Sequence, residues 1–389
     1  MKTEREIVVV GAGPAGSITA ALLARQGHDV LLLDKSDFPR DKICGDALGS
    51  RVLDLLENAC IKGISEMYYP QGNFYPLHEM CFVSPKGYKV VVPLQKSENL
   101  LRPAVASRFV LDNLIQKHAI KMGAEFQRIK VDEPLIEKGK VVGVKATCQG
   151  ESIEVRSSFV IGADGARSVV ARSLRQEARH QDGHRAIAIR AYAEGIEINE
   201  NLLEFYFYKD ISPGYAWIFP RGEKTANIGL GMRLDHYRRI SRNLKQMLDD
   251  FISIPDIKQR VHKGMIIRDK AVWPLNFGSQ KGLKYAYNGA LLVGDAAGFV
   301  NPLTGGGINA SLLSGQFAAE IIHRAIKSQS YSLTKLQEYE KLCRQHILNN
   351  TRRAYHLQRL FSRFPLLVDL VIKYLPLDNL LIKTLVSKF

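Results

Sequence analysis

Apolar and polar positions follow two periods along this chain. Ile7-Val8-Val9-Val10 is a continuous β-branched run of the kind buried on both faces of a parallel sheet. Helical spacing follows through Ala20-Ala21-Leu22-Leu23-Ala24 and stops at Gly27. His28 to Asp34 is then a second strand, apolar from Val30 to Leu33. Helical spacing returns over Ser50 to Ala59, with Val52, Leu53, Leu55 and Leu56 apolar, and over Ser107 to Met122, with Phe109, Val110, Leu114 and Ile115 apolar. Ser158-Phe159-Val160-Ile161 and Ala290-Leu291-Leu292-Val293 are two more buried runs. A helix opening at Ile308 carries Leu312, Phe317, Ile321, Ile322 and Ile326 on its apolar side.

Elsewhere the period is two. Met80 to Val83 and Tyr88 to Val92 flank Pro85-Lys86-Gly87 as a hairpin. Glu125 to Ile129, Lys140 to Val144 and Ser152 to Val155 read as strands. Arg185 to Tyr192, Leu203 to Tyr208, Pro213 to Pro220 and Thr225 to Gly231 alternate as antiparallel strands should, followed by a helix over 241–252 and a strand from Gly264 to Val272. The pattern predicts α/β plus α+β architecture. A Rossmann-like nucleotide domain (1–60, 101–175 and 276–330) is interleaved with an antiparallel-sheet substrate domain (61–100 and 176–275), and a C-terminal helical segment covers 331–389.

The first strand runs into Gly11-Ala12-Gly13-Pro14-Ala15-Gly16, and this gives the pattern its chemistry. Gly11 allows a tight turn, Gly13 lets backbone approach a pyrophosphate, and Gly16 lets the next helix pack close. Pro14 suits a first helical turn, whose N-terminus attracts an anion. Asp34 stands where the ribose hydroxyls of an adenine dinucleotide fall. These residues leave the dinucleotide open between NAD(P) as substrate and FAD as resident cofactor.

Composition narrows the partners. Hydrophobic residues make up 46% and charged residues 24%, which is globular. The net charge of +15 suits nucleic acid, an anionic membrane surface or a merely basic protein. No lysine-rich tail, zinc spacing or aromatic RNA-binding motif accompanies it, so nucleic acid is set aside. Cys44, Cys60, Cys81, Cys148 and Cys343 form no Cys-x-x-Cys and are odd in number, which implies neither a disulfide framework nor a metal site. The expectation is a cytoplasmic protein, with no signal peptide before the first strand and no apolar run long enough to span a bilayer. Residues 352–389 hold seven Lys or Arg against two Asp and are densely apolar. Pro365 and Pro376 cut them into short helices. Such a segment suits a peripheral contact with an anionic membrane, a lid or a dimer surface.

Two further glycine-acid loops end strands: Gly162-Ala163-Asp164-Gly165 and Gly294-Asp295, the latter followed by Gly305-Gly306-Gly307. Together with the first fingerprint they resemble the FAD domain of the p-hydroxybenzoate hydroxylase class. The resemblance implies tightly bound, non-covalent FAD. Gly11, Gly13, Pro14, Ala15, Gly16, Asp34 and Lys35 would then lie at its adenosine end, with Asp164 near the pyrophosphate. Arg108 would lie near the phosphates or ribityl chain, Gly294 and Asp295 at the ribityl chain, and Gly305, Gly306, Gly307 and Ile308 by the flavin ring. Within that class, Lys42-Ile43-Cys44-Gly45 and Pro213-Gly214-Tyr215-Ala216-Trp217-Ile218-Phe219-Pro220 resemble motifs of the geranylgeranyl reductase family. There the first motif borders the flavin and the second lines a lipid pocket.

The implied activity is reduction of C=C bonds in a prenyl or related polyunsaturated lipid. This requires a hydride, which no side chain donates, and a proton. Cys44, Tyr215 and Trp217 are the candidate catalytic residues. Tyr215 and Trp217, two apart on a strand, share a face. Only one dinucleotide fingerprint is present, so the electrons come from an external donor, NADPH or ferredoxin. The rival readings are a flavin monooxygenase acting on an aromatic or polyketide substrate, and a non-catalytic flavoprotein scaffold. A halogenase is disfavoured by the missing Trp-x-Trp-x-Ile-Pro motif.

Overall fold

The computed structural model describes residues 3–70, 72–94, 101–175 and 180–374. The chain folds into two compact units, Met1–Arg40 with Phe109–His184 and Leu275–Tyr355, and Asp41–Arg108 with Arg185–Pro274 and His356–Phe389.

The first unit is built on a sheet whose central strand, Glu4–Val10, pairs in parallel with Val30–Asp34 on one side and Glu151–Gly162 on the other. Ala290–Leu292 and Glu125–Arg128 extend it in parallel outward from those two neighbours. Ile7, Val8 and Val9 are fully buried, as an unbroken β-branched run requires. Ser152–Val155 and Ser158–Ile161, read as two strands, are one strand with two partners. Glu151 to Arg156 pairs antiparallel with Lys140–Cys148, and Arg156 to Gly162 runs parallel to the central strand. Only its last residues, Phe159 to Gly162, are buried, so only they form an unbroken apolar run.

The fingerprint helix Pro14–Arg25 packs on the long helix Ile308–Lys327. The approach is close: a Cβ on Gly315 would lie 2.7 Å from the Ala15 carbonyl oxygen and 2.4 Å from Ile18. The helix Leu333–Cys343 also belongs to this unit. Its Tyr339 hydroxyl donates to the Leu292 carbonyl, and Glu340 accepts from the Tyr285 and Ala286 amides.

The second unit is a seven-stranded sheet in the order Val261–Asn276, Arg185–Ile196, Thr225–Arg233, Gly214–Pro220, Leu202–Tyr206, Glu79–Val83, Lys89–Pro93. The expected hairpin of residues 80–92 enters with one parallel pairing, Glu79–Val83 against Leu202–Tyr206. One face of the sheet packs Ile189, Ile218, Ile228, Leu230 and Met232 against the helix Leu244–Ile252. The other face carries Leu203, Phe205, Trp217 and Phe219 with Met80 and Leu77.

The units divide the chain differently from the expected boundaries. Residues 41–60 and 101–108 join the second unit. The short strands Ala47–Leu48, Tyr75–Pro76 and Ala104–Val105 form a small sheet of their own, and the buried Arg190 guanidinium holds Asp41 at 2.6 Å. Residues 180–184 join the first unit. The C-terminal segment is not separate: 331–355 belong to the first unit and 356–374 to the second. There the buried Asp369, on the helix Leu366–Tyr374, accepts from Ser84 Oγ at 2.7 Å and from the Lys86 amide at 2.9 Å. The reading of Pro376 and the residues beyond it lies outside the described residues.

Candidate active site

In the first unit the fingerprint forms a tight cradle. Gly11 has φ +102, and a Cβ there would lie 2.5 Å from the Ala163 carbonyl oxygen. One on Gly16 would meet the Gly11 carbonyl at 1.8 Å. Both positions therefore require glycine to close the turn. Gly13 differs: a Cβ there would meet nothing nearer than Arg40 Nη2 at 3.8 Å. Gly13 is also the N-cap of Pro14–Arg25, and no side chain caps that helix. Its first-turn amides, with the positive end of the dipole, face a space that glycine leaves open. Asp34 borders this cradle. Its carboxylate accepts from the Ala12 amide at 2.9 Å and the Ser36 amide at 3.0 Å, which fixes its orientation. Lys35 beside it is exposed.

Arg40 was not singled out in the sequence. It is tied to the buried Asp112 at 3.0 Å and lies 3.8 Å from Asp34, which brings a guanidinium to the mouth of the fingerprint. No local pattern signals this, because Asp112 is 72 residues away.

The other two loops converge on the same helices. Gly294, with φ +56, donates its amide to Ser314 Oγ, and a Cβ there would lie 2.9 Å from Ala15. Asp295 lies against the N-terminus of Ile308–Lys327: its Oδ1 is 3.0 Å from where a Cβ on Gly307 would be. Gly307 caps that helix, again without a side-chain cap. In its first turn, Asn309 Oδ1 is buried with no hydrogen-bond partner. Gly305 and Gly306 are held in the preceding loop by Asn301, whose carbonyl and amide bond their amide and carbonyl respectively.

Asp164 is held by local bonds. Its carboxylate accepts from Ser168 Oγ and from the amides of Val169 and Val170, at the start of the helix Val169–Leu174. Burial pushes its pKa up, and those three bonds oppose the shift. Arg108, the first residue of the helix Arg108–Lys121, is buried.

The second unit assembles Cys44, Tyr215 and Trp217. The rings of Tyr215 and Trp217 are 6.0 Å apart at 61°, on the face shared with Phe205 and Phe219. Gly45 packs against them; a Cβ there would lie 3.1 Å from Phe219 and 3.7 Å from Trp217 Nε1. Burial raises the pKa of the Tyr215 phenol, and the nearby Cys44 thiol raises it further. The phenol therefore keeps its proton at neutral pH.

A buried amide ties these pieces together. Asn227 Oδ1 accepts from Trp217 Nε1 at 2.9 Å. Its Nδ2 donates to the Cys44 carbonyl at 2.7 Å and to Asp46 Oδ2 at 2.9 Å. Asp46 is fully buried and also accepts from the Tyr192 hydroxyl at 3.0 Å. The Tyr192 ring lies between the guanidinium groups of Arg190 and Arg221, at 4.1 and 3.9 Å. Gly229 lets the indole lie on the sheet, since a Cβ would meet it at 2.3 Å. The strand Thr225–Arg233 carries these partners at alternate positions. In sequence that alternation was visible, but its pairing with Cys44 was not.

The cradle therefore fits a dinucleotide. It offers two uncapped helix N-termini, an oriented carboxylate, a guanidinium and an orphaned buried amide oxygen. Comparison with known proteins gives the class. The FAD binding domain family matches residues 4–354. The digeranylgeranylglycerophospholipid reductase of Methanosarcina mazei is 33% identical over 348 residues, covering 88% of this chain and 81% of that protein. A geranylgeranyl bacteriochlorophyll reductase-like structure from Thermoplasma acidophilum is 26% identical with a TM-score of 0.86, covering 100% of this chain and 96% of that one. A flavin-dependent brominase, 20% identical with a TM-score of 0.78 over 99% of this chain and 93% of its own, shares the fold. This chain belongs to the geranylgeranyl reductase family of FAD-dependent oxidoreductases.

Proposed function

We propose that this protein saturates carbon–carbon double bonds of a prenyl or related polyunsaturated lipid, adding a hydride and a proton across each. One observation carries the reading beyond the family. An apolar sheet face presents the Tyr215–Trp217 wall, with the Cys44 loop fixed to it through the buried Asn227. Such a face suits a long hydrocarbon and supplies few groups other than Tyr215 and Cys44 that exchange protons.

When bound, FAD supplies the hydride. The cradle residues Gly11, Gly13, Pro14, Ala15, Gly16, Asp34 and Arg40 would hold its adenosine and phosphate end, with Lys35 and Arg108 as further contacts. Asp295 and Gly305 to Ile308 would hold the other end. Tyr215 holds a proton for the substrate carbon, and Cys44 lies beside it. The Trp217 indole, locked by Asn227, orients the chain and excludes water. Binding is non-covalent and tight. The electrons come from an external donor, NADPH or reduced ferredoxin.

The lipid is reached at a membrane surface. No helix among the described residues is long and apolar enough to cross a membrane. However, Leu360 on the helix Asn349–Arg363, Leu366, Leu370 and Tyr374 on the helix Leu366–Tyr374, and Phe364 between the two are exposed beside Arg363 and Lys373, which suits a peripheral, anionic contact.

The test is a single turnover of the FAD-loaded protein, chemically reduced under argon and mixed with a geranylgeranyl lipid. Flavin reoxidation matched by a product two hydrogens heavier is expected. A product formed only with O2, and carrying oxygen, would make the protein a monooxygenase. No reoxidation by any prenyl lipid would leave a scaffold.

A further inference from the structure

The aromatic wall has a definite end. Counted by twos along each strand, Tyr215 and Trp217, Phe205 and Phe207, and Met80, Phe82 and Ser84 lie on one face of the second unit's sheet. Strand pairing sets them in rows. Trp217, Phe205 and Phe82 form one row. Tyr215, Phe207 and Ser84 form the next, because the Phe207 amide bonds the Val83 carbonyl and the Ser84 amide bonds the Tyr88 carbonyl. Neighbouring rings meet across the strands: Phe82 stacks on Phe205 at 5.3 Å, and Phe207 lies 6.2 Å from Tyr215. Ser84 thus stands in the Tyr215 row, about 10 Å away across two strand spacings.

The helix Leu366–Tyr374 is fastened at that point. Its Asp369, 6% exposed, accepts from Ser84 Oγ and the Lys86 amide, and its Lys373 Nζ lies 4.8 Å from the Tyr88 ring centre. Tyr88 pairs with Ser84 and shares its face, so the helix is held from the side of the wall. The preceding helix ends at the opposite corner. Arg359 and Arg363 line a cleft with Arg233 and Asp235, and Arg233 lies on the same face, one row beyond Gly231, the partner of Tyr215. From the Arg233 strand to the Ser84 strand is three spacings, about 14 Å. Arg363 to Asp369, extended at first and then helical, reaches about as far. Residues 364–368 therefore cross the sheet's edge beside Tyr215 and Phe207.

Two features make this helix a movable part. Of its nine residues only Asp369 and Ile372 are buried, so little apolar surface holds it and the bonds to Asp369 dominate. Pro365 has no amide to bond the Phe361 carbonyl, which breaks the chain into two helices and leaves a hinge between them. Leu366, Leu370 and Tyr374, four residues apart, make the helix's exposed side apolar.

We propose that the helix Leu366–Tyr374 is a hinged lid on the Tyr215 end of the aromatic wall, latched by Asp369. The substrate's hydrocarbon tail enters beneath it when a membrane surface takes up the apolar side and draws the helix off the turn at Ser84 and Lys86. The proposal rests on the prenyl-lipid reading above and adds its regulation: the latch limits entry of the lipid and leaves the reduction step untouched.

The test follows flavin reoxidation in the FAD-loaded, chemically reduced full chain mixed with geranylgeraniol under argon, with and without phosphatidylglycerol vesicles. Asp369→Ala removes both latch bonds and Ser84→Ala removes one. Protease cleavage in the helix reports opening, and thermal melting checks folding. At low lipid concentration the wild type should react at least tenfold faster on vesicles. Asp369→Ala should react about tenfold to a hundredfold faster than wild type without vesicles and gain little from them, with Ser84→Ala between the two. When the lipid is bound before the flavin is photoreduced, all three should reoxidise at one rate. Three results would overturn the lid. One is Asp369→Ala that is cleaved faster yet loads lipid at the wild-type rate. Another is equal acceleration by vesicles in wild type and Asp369→Ala, which would make the membrane only a source of lipid. The third is slower reoxidation of preloaded Asp369→Ala, which would make the helix part of the wall. Should Asp369→Ala fail to melt cooperatively, Ser84→Ala carries the same comparisons. All three results leave the prenyl-lipid reading standing, whereas wild type that no prenyl lipid reoxidises, even preloaded, removes that reading and the lid with it.

Discussion

Replacing Asn227 with leucine tests whether one buried amide holds the second unit's site together. Leucine keeps the branched outline of asparagine with two methyl groups in place of the amide, so three hydrogen bonds are lost. Trp217 Nε1, the Cys44 carbonyl and Asp46 Oδ2 each lose a partner at 2.7 to 2.9 Å. Stranding a buried polar group costs about 1–3 kcal/mol, and Asp46 keeps Tyr192 as a donor, so the sum is about 3–5 kcal/mol. That is a large share of the ~5–15 kcal/mol by which a domain is stable. The assay is urea unfolding followed by tryptophan emission in a Trp273→Phe background, where Trp217 is the remaining reporter. Asn227→Leu should lower the midpoint clearly and shift the native emission, because the indole loses its acceptor. Turnover should fall more than the affinity for FAD, since Asn227 belongs to the unit without the fingerprint. A midpoint within experimental error of the parent, together with unchanged Trp217 emission, would refute the network as the support of this site.

Other consequences follow from the same geometry. Gly13→Ala should leave melting of the apoprotein unchanged, because its Cβ enters open space, yet cut FAD retention at least tenfold. Gly16→Ala should instead prevent stable folding, since its Cβ would collide with the Gly11 carbonyl. Flavin absorbance per protein and melting curves separate the two. Burial raises the pKa of Asp46 in the folded state, so the unfolded chain releases this proton first. Stability is therefore full below the ordinary aspartate range and declines as pH rises through the folded value. Asp46→Asn should gain on the wild type from pH ~4 upward, measured as the difference in unfolding midpoints. His323, bonded to His28 at 2.9 Å, has its pKa lowered by burial and then by His28 and Lys327. Its stabilisation is present above the ordinary histidine value near ~6.5 and is lost as pH falls through the folded value. A His323→Gln variant should flatten the acid limb of the stability profile. Asp369→Ala removes both bonds that hold the helix Leu366–Tyr374 to the turn at Ser84 and Lys86. Protease cleavage in that helix should accelerate about tenfold to a hundredfold, with little change in FAD content.

The chain's local patterns carry the first unit almost completely. An apolar run followed by Gly11-Ala12-Gly13-Pro14-Ala15-Gly16 has few alternatives to a buried strand, a tight turn and a helix N-terminus. Steric exclusion at Gly16 acts against its near neighbour Gly11, while that at Gly11 comes from Ala163 at the end of a distant strand. The same holds for the alternation that puts Tyr215 and Trp217 on one face. What sequence did not reveal depends on residues far apart in the chain. Arg40 reaches the fingerprint because Asp112 holds it. Asn227 reaches the Cys44 loop across 183 positions, and Arg233 and Arg359 act on the same Asp235 although 126 positions separate them. Charge and hydrogen-bonding capacity are written in every residue, but the partners that orient them are chosen by packing. The sequence by itself determined a dinucleotide fingerprint and put Tyr215 and Trp217 on one strand face. The tertiary structure decided which buried amide holds the wall to the cysteine loop, because that link joins residues 183 positions apart.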